Sequence, residues 1–444
     1  MPFLLAFIIW QWYPSLVRFI LVDVLCYPAP TQLSSLIWSL PLGFFYTWYV
    51  FFAIGVSGLL MVASWVWKQQ PIPKTERSYP MVSFVVPAYN EEQNIMRCLN
   101  SLFECIVNFR GSSEIIVIDD GSTDNTYEIA WATINAKRQE LAHIRAKVVR
   151  HTANLGKAEA LRTGVNKAMG EYVAIVDADT SWDSRGLTEL VDYMHATKTL
   201  AASGYIHPSD GIKERKLFTI LQQLEYSQGL GILRRAEALG NAITVVPGPM
   251  GLYRSEVLRQ LLNEKQTKSV TEDLELTLEM QKKNMKLGYD DDARSTTLAP
   301  TTLRGFWRQR LRWSIGWLHN QLAIHKDLLW NRRWLTLLLW YSLVPGFFGA
   351  ALELVALLST PFFFWFAPDR VFFLLNFVMF MLLVLVVGLV QQALALKFAY
   401  SNYNHRQLLW YTPLYFVLRL INIFAKFTTL IQYTMGKKGT WHKN

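Results

Sequence analysis

Met81-Val82-Ser83-Phe84-Val85-Val86-Pro87-Ala88-Tyr89-Asn90-Glu91 is an apolar run that stops at a proline, an asparagine and a carboxylate. A short apolar stretch closed by turn residues reads as a buried strand. Three more follow at Glu114 to Asp119, Lys147 to Arg150 and Glu171 to Val176, separated by helix-length segments such as Glu91 to Asn108. Buried strands alternating with helices predict an α/β, Rossmann-like, mostly parallel sheet with crossover helices. Such sheets bind ligands at the carboxyl ends of their strands. The polar signals fall there: Pro87 to Glu91 after the first strand, Asp119-Asp120-Gly121-Ser122 after the second and Asp177-Ala178-Asp179 after the fourth.

Outward from this core the composition changes. The chain is 52% hydrophobic, and the apolar residues gather before about residue 68 and after about residue 333, where runs of roughly 20 can cross a bilayer. Phe3 to Val22 reads as a retained anchor, with Arg18 snorkelling or paired with Asp23, and Pro41 to Trp67 as a second crossing. The loop between them carries no Lys or Arg, whereas Lys68, Lys74 and Arg77 follow, which puts the central domain in the cytosol. Trp334 to Phe366, Val371 to Leu396 and Leu408 to Tyr433 are apolar, and the basic tail Lys437 to Asn444 favours the cytosol. Three simple crossings would put that tail outside, so the 33-residue stretch from Trp334, interrupted by Pro345-Gly346 and Pro361, is expected to be interfacial, re-entrant or folded into two passes. The resulting plan is 1–70 N-terminal transmembrane helices, 78–300 catalytic domain, 301–333 amphipathic interface, 334–436 C-terminal membrane region and 437–444 tail.

The net charge of +10 is read as basic flanks of membrane segments rather than a nucleic-acid surface. Cys26, Cys98 and Cys105 lack metal-ligand spacing and read as packing residues. Leu303 to His325 is amphipathic, with Arg304, Arg308 and Arg312 on one face. It fits a helix at the membrane interface or one packed on the domain surface. Asp290-Asp291-Asp292 reads as a solvated loop.

Asp177 and Asp179, two carboxylates one residue apart, suit a hard divalent cation bridging to a diphosphate, Mg²⁺ or Mn²⁺ rather than a soft metal. Taken alone the pair is a weak signal, and a plain turn after the strand explains it better. The order of Asp120, Lys157 in Asn154-Leu155-Gly156-Lys157, the Asp177/Asp179 pair, Asp273 in Thr271-Glu272-Asp273, and Gln309-Arg310-Leu311-Arg312-Trp313 narrows the reading. Together they resemble the family 2 inverting glycosyltransferases of GT-A fold, above all the processive membrane branch of cellulose, chitin, hyaluronan and poly-N-acetylglucosamine synthases.

The resemblance implies roles position by position. Pro87, Tyr89, Glu91, Asp120 and Lys157 would hold the nucleoside and its phosphates, with Asp120 nearest the base or ribose. Asp177 and Asp179 would form the metal and donor site, Asp179 being the direct ligand, and Asp273 would be the catalytic base. Gln309, Arg310 and Arg312 would clamp the diphosphate. Trp313, Glu272 and the loop Gly248-Pro249-Met250-Gly251 would face the acceptor. Asp273 supporting a helix N-terminus and Trp313 anchoring the membrane interface are the plainer alternatives.

Thr271-Glu272-Asp273 and Gln309 to Trp313 look more like the poly-N-acetylglucosamine and cellulose synthases than the hyaluronan and chitin synthases. The tail Gly439-Thr440-Trp441 is similar to that of the poly-N-acetylglucosamine type and of hyaluronan synthases. Chain length and two N-terminal anchors favour the poly-N-acetylglucosamine type. Ser314-Ile315-Gly316-Trp317 departs from it. The expected partners are a UDP-sugar, best UDP-N-acetylglucosamine, a polysaccharide or lipid acceptor, the bilayer of the plasma (inner) membrane and a small membrane accessory subunit. A non-processive enzyme like ceramide glucosyltransferases is the alternative, and a translocator with a degenerate transferase domain is a third reading. A polymer path starting at Trp313 and lined by Gln391, Gln392, Asn422 and Lys426 would separate the first two.

Overall fold

The structure, a computed structural model, describes residues 11–12, 54–67, 79–141, 144–211, 216–264, 269–331, 333–367, 369–399 and 405–436. The expected anchor Phe3 to Val22 apart from Gln11 and Trp12, the first part of the second stretch (Pro41 to Ala53), the basic residues Lys68, Lys74 and Arg77, and the tail from Lys437 lie outside the described residues. Two units are distinct: residues 68–226, 237–339 and 432–444 form one, and residues 1–67, 227–236 and 340–431 the other.

In the first unit the strands are β1 (Val82–Ala88), β2 (Ser113–Asp119), β3 (Arg145–Arg150), β4 (Tyr172–Ile175), β5 (Thr180–Trp182), β6 (Ala201–Ser209), β7 (Gly251–Arg254) and β8 (Leu287–Leu298). They make one sheet in the order β3-β2-β1-β4-β7-β6-β8-β5. β3, β2, β1 and β4 run parallel, as expected. Beyond β4 the sheet is mixed, because β7 pairs antiparallel to both β4 and β6, and β5 antiparallel to β8. β1 and β2 are buried along their whole length, since helices cover both faces of such a sheet. The Ile95–Asn108 helix shows how: Ile95, Leu99, Leu102, Phe103 and Ile106 recur on one face and are all buried.

Two expectations need correction here. β3 is not a buried strand: it ends the sheet, and Ala146 is its one fully buried residue. An edge strand packs on one side only, so its Lys and Arg side chains reach solvent. Asp290-Asp291-Asp292 is not a solvated loop either, but part of β8. Its register against β6 breaks between Gly204 and Tyr205, opposite this run. Asp290 still pairs with Gly204 before that break and is 0% exposed, and burial pushes its carboxyl up to about 7.

The Leu303–His319 helix is capped by the Thr302 hydroxyl, which accepts from Gly305 N at 3.1 Å. Arg304, Arg308 and Arg312 are exposed along it, while Ile315 and Leu318 are buried.

Trp334–Phe366, Phe373–Ala399 and Gln407–Thr434, most of whose residues belong to the second unit, are helices long and apolar enough to cross a membrane. Leu358, Trp365, Val386 and Val417 on them stand more than half exposed, which suits contact with lipid. The Trp334 stretch does not fold back at Pro345-Gly346. Helix Trp334–Leu343 passes through a π turn, Val344–Phe348, directly into helix Gly349–Phe366, which also contains Pro361. A proline deletes one ladder bond, and one wide turn absorbs the loss without ending the helix.

Gln392 does not line a path. It is 0% exposed, its amide nitrogen donates to Ser227 Oγ at 2.7 Å, and its oxygen accepts from Gln228 Nε2 at 2.8 Å. A buried amide must satisfy both ends, and here both ends hold the Ser227 segment. Arg235 in that segment lies over the rings of Trp67 and Phe398, 4.6 and 4.0 Å from their centroids.

Candidate active site

The rim above β1, β2 and β4 is built from loops that bond to one another. Asn90, in a left-handed conformation that asparagine tolerates well, donates its backbone N–H to Ser122 Oγ at 3.0 Å and accepts from Thr123 N at 2.9 Å. Glu91 N donates to Thr126 Oγ1 at 2.7 Å. Pro87 and Tyr89 therefore stand in a loop fixed against the Gly121–Thr126 turn. Pro87 lies beyond the last β1–β4 pair, Val85 with Ile175, where its missing N–H leaves no gap in that ladder.

Asp120 turns toward the next loop. One oxygen accepts from Leu155 N at 3.0 Å and lies 2.8 Å from His151 Nδ1; the other accepts from Gly156 N at 2.8 Å. The carboxylate thus sets the loop that delivers Lys157. Lys157 Nζ lies 2.7 Å from Asp177 Oδ1 and 2.7 Å from Glu272 Oε1. Burial opposes its charge, but Asp177, Glu272 and Asp273 together raise the ammonium well above its ordinary range. It stays protonated and ties the end of β4 to the start of the Glu272–Lys282 helix.

The Asp177-Ala178-Asp179 turn is clamped by its backbone. Thr180 N donates to Asp177 O at 2.9 Å, and Arg97 Nη2 to Asp179 O at 3.0 Å. Asp179 Oδ1 accepts from the hydroxyls of Thr180 and Thr297 at 3.2 and 3.3 Å. Burial, then the nearby Asp177 and Glu91 carboxylates, push the Asp179 carboxyl up to about 6. Half-buried oxygen donors crowded by like charge are the donor set a hard divalent cation favours.

Asp273 occupies the first turn of its helix, as the plainer reading held, with Oδ1 accepting from Leu274 N at 2.8 Å. It also faces the rim, since Oδ2 accepts from Gly248 N at 3.4 Å. Burial, then Glu272 beside it, push its carboxyl up to about 6. Glu272 moves the other way: burial opposes its charge, yet Lys157 and, further off, Arg312 hold it below the usual range. The two neighbouring carboxyls are thus driven apart, Glu272 downward and Asp273 upward. A Cβ at Gly248 would stand 2.9 Å from both Asp177 Oδ1 and Lys157 Nζ, so any side chain there enters the site. Pro249 is fixed by its carbonyl, which accepts from Trp182 Nε1 at 2.9 Å.

Within the Gln309 to Trp313 motif the side chains divide. Arg312 is exposed and acts on Glu272. Gln309 is half-buried. Arg310 is buried: Nη2 lies 2.7 Å from Glu225 Oε2, and its guanidinium is 4.4 Å from the ring centroids of both Phe306 and Trp313. Trp313 therefore has one interaction with its own helix, alongside the role expected of it. The departure at Gly316 has a physical cause, because a Cβ there would overlap Thr271. Asn320 completes this junction by donating to Ser269 Oγ, Thr271 Oγ1 and Gly316 O at 2.8, 3.2 and 3.0 Å. Sequence reasoning missed His151, Thr297, Glu225 and Asn320. His151, one residue past β3, was open to the strand-end rule; the others carry no local signal.

Residues 83–262 match the model for Glycosyl transferase family 2. That stretch is a family 2 glycosyltransferase domain. Poly-beta-1,6-N-acetyl-D-glucosamine synthase of Staphylococcus epidermidis is 30% identical over 236 residues, 53% of this chain and 54% of that protein. The synthase of Staphylococcus aureus (strain COL) is 28% identical over the same shares. The chain thus spans about half the length of the curated relatives it matches. Among solved structures, the mannosyltransferase PcManGT of Pyrobaculum calidifontis, in complex with GDP-Man and Mn2+, superposes with a TM-score of 0.56 at 17% identity, covering 91% of this chain and 100% of that one. The family 2 domain has the GT-A fold, a Rossmann-like mixed sheet followed by the three long apolar helices.

Proposed function

We propose that this chain is an inverting glycosyltransferase that moves a sugar from a UDP-sugar to the end of a growing polysaccharide as the polymer passes through the membrane. The observation that carries the reading is Lys157 held between Asp177 and Glu272, with Asp273 next in sequence and on the same rim. The relatives' name favours UDP-N-acetylglucosamine as donor.

The nucleoside and phosphates bind along Pro87, Tyr89, Glu91, Asp120 and Lys157. Asp179 and Asp177 are the residues that would hold Mg²⁺ or Mn²⁺, which supplies positive charge to the departing diphosphate. Arg312, with Gln309 and Arg310, adds donors on the same side. Asp273 takes the proton of the acceptor hydroxyl as its oxygen bonds to the anomeric carbon, and the bond to the phosphate oxygen breaks on the opposite face. UDP leaves with that electron pair. Glu272, kept ionised by Lys157, holds Asp273 in the range of a base near neutral pH. Trp313, Pro249 and Gly248 shape the acceptor side, with the sugar ring against indole. The domain faces the cytosol of the plasma (inner) membrane, where the UDP-sugar is made, and a small accessory subunit completes the assembly.

The test uses full-length protein in lipid with labelled UDP-N-acetylglucosamine and Mn²⁺ or Mg²⁺. UDP release with a long labelled product supports the proposal. UDP release with one sugar on a lipid favours the ceramide-glucosyltransferase-like reading, and no release from any UDP-sugar overturns both.

A further inference from the structure

Two helices of the first unit meet along matched faces. Phe218, Gln222 and Glu225 share one face of the Leu217–Gln228 helix. Phe306, Arg310 and Trp313 repeat that spacing on the Leu303–His319 helix. The Phe218 and Phe306 rings lie edge to face with centroids 5.2 Å apart, and Gln222 Nε2 donates to Pro300 O at 2.8 Å. Glu225 closes the row: its Oε2 lies 2.7 Å from Arg310 Nη2, and the arginine side chain is 9% exposed.

A guanidinium buried this far is held by its carboxylate and by what lies against its faces. Those faces meet the rings of Phe306 and Trp313, each with its centroid 4.4 Å away. The attraction is mutual, so the cation that Glu225 fixes also holds the indole of Trp313. Trp313 is half-buried, and among the described residues no second ring or cation meets it. Arg310 occupies one face of the indole, which leaves the other for a sugar ring.

We infer that Glu225 is a positioning residue for the acceptor, aiming Trp313 through Arg310 while touching neither substrate. This role rests on Trp313 being the acceptor's platform under the proposed function. It adds that a carboxylate on a separate helix sets the platform. An ion pair that merely joined the two helices would stabilise the fold without favouring either substrate.

The test uses full-length protein in phosphatidylcholine nanodiscs, with UDP-N-acetylglucosamine as donor and a β-1,6-linked N-acetylglucosamine pentamer as acceptor. Initial rates give a KM for each substrate in wild type, Glu225→Gln, Trp313→Ala and the double variant. Glu225→Gln keeps the side-chain volume and loses the charge. Its acceptor KM should rise about tenfold, the change for losing one charge-assisted contact, with the donor KM unchanged. Because Glu225 acts through Trp313, the double variant should match Trp313→Ala alone. Glu225→Asp keeps the charge and guards against misfolding; its shorter reach draws the guanidinium from the indole, so the acceptor KM should rise there too. Both KM values rising together, effects of the two substitutions that multiply, or an acceptor KM unchanged in either Glu225 variant while Trp313→Ala raises it would each overturn the inference alone. An acceptor KM unmoved by Trp313→Ala, or wild type that transfers no sugar to the pentamer, would overturn the platform reading and the inference with it.

Discussion

Lys157 Nζ lies 2.7 Å from Glu272 Oε1, although 115 positions separate them in the chain (272 − 157). The contact joins the start of the Lys157–Lys167 helix, after β3, to the helix that carries Asp273, and the same nitrogen reaches Asp177. A cation shared by two carboxylates holds three chain segments at fixed spacing, a requirement of any catalyst that must keep a donor beside a base.

Asp273→Asn is expected to lower kcat by about 10²–10⁴-fold, the usual contribution of a general base, while UDP-sugar binding persists. With its carboxyl raised to about 6, the ionised, proton-accepting form is present above that pH and is lost below it. A pH profile of kcat/KM should fall on the acid side of pH 6, and a flat profile from pH 5 to 8 removes Asp273 from this role.

Lys157→Met leaves Asp177, Glu272 and Asp273 as a cluster without its shared cation. Loss of one partner from a mostly buried pair costs about 3 kcal/mol, so the melting temperature should drop along with turnover. The sign with pH follows from the carboxylates: their repulsion is present when ionised and relieved by protonation. The deficit against wild type should shrink as pH falls through about 6, the value to which Asp273 is raised. A deficit that grows on acidification would contradict the assignment.

Gly248→Ala puts a methyl where Asp177 Oδ1 and Lys157 Nζ stand 2.9 Å away. Overpacking of this kind costs about 1–3 kcal/mol. The loss should appear mainly in kcat/KM, with circular dichroism unchanged.

Asn320→Ala removes the donor shared by Ser269, Thr271 and Gly316. Loss of about 1–3 kcal/mol is expected for buried groups left unmatched. Turnover should fall more than UDP affinity, because the junction sets Arg312 and Trp313 relative to Asp273. Equal loss in both would indicate a general weakening of the fold.

Chelation should abolish UDP release, with Mn²⁺ or Mg²⁺ restoring it, and Asp179→Asn should raise the cation concentration needed. Activity indifferent to a chelator would remove the Asp177 and Asp179 pair from metal binding.

The amino-acid sequence by itself determined the parallel half of the sheet, the strand-end positions of Asp120, Asp177 and Asp179, and the long apolar helices. Each depends on local periodicity and on where turn residues stop a run, and both are written in consecutive residues. Tertiary structure alone decided that Asp290 is buried, that Arg310 pairs with Glu225, that Gln392 is a bonded anchor and that Asn320 braces the Asp273 helix. Those outcomes depend on which distant groups burial brings within hydrogen-bond reach. No spacing rule carries that information, because a buried polar group takes its partner from whatever the fold sets against it.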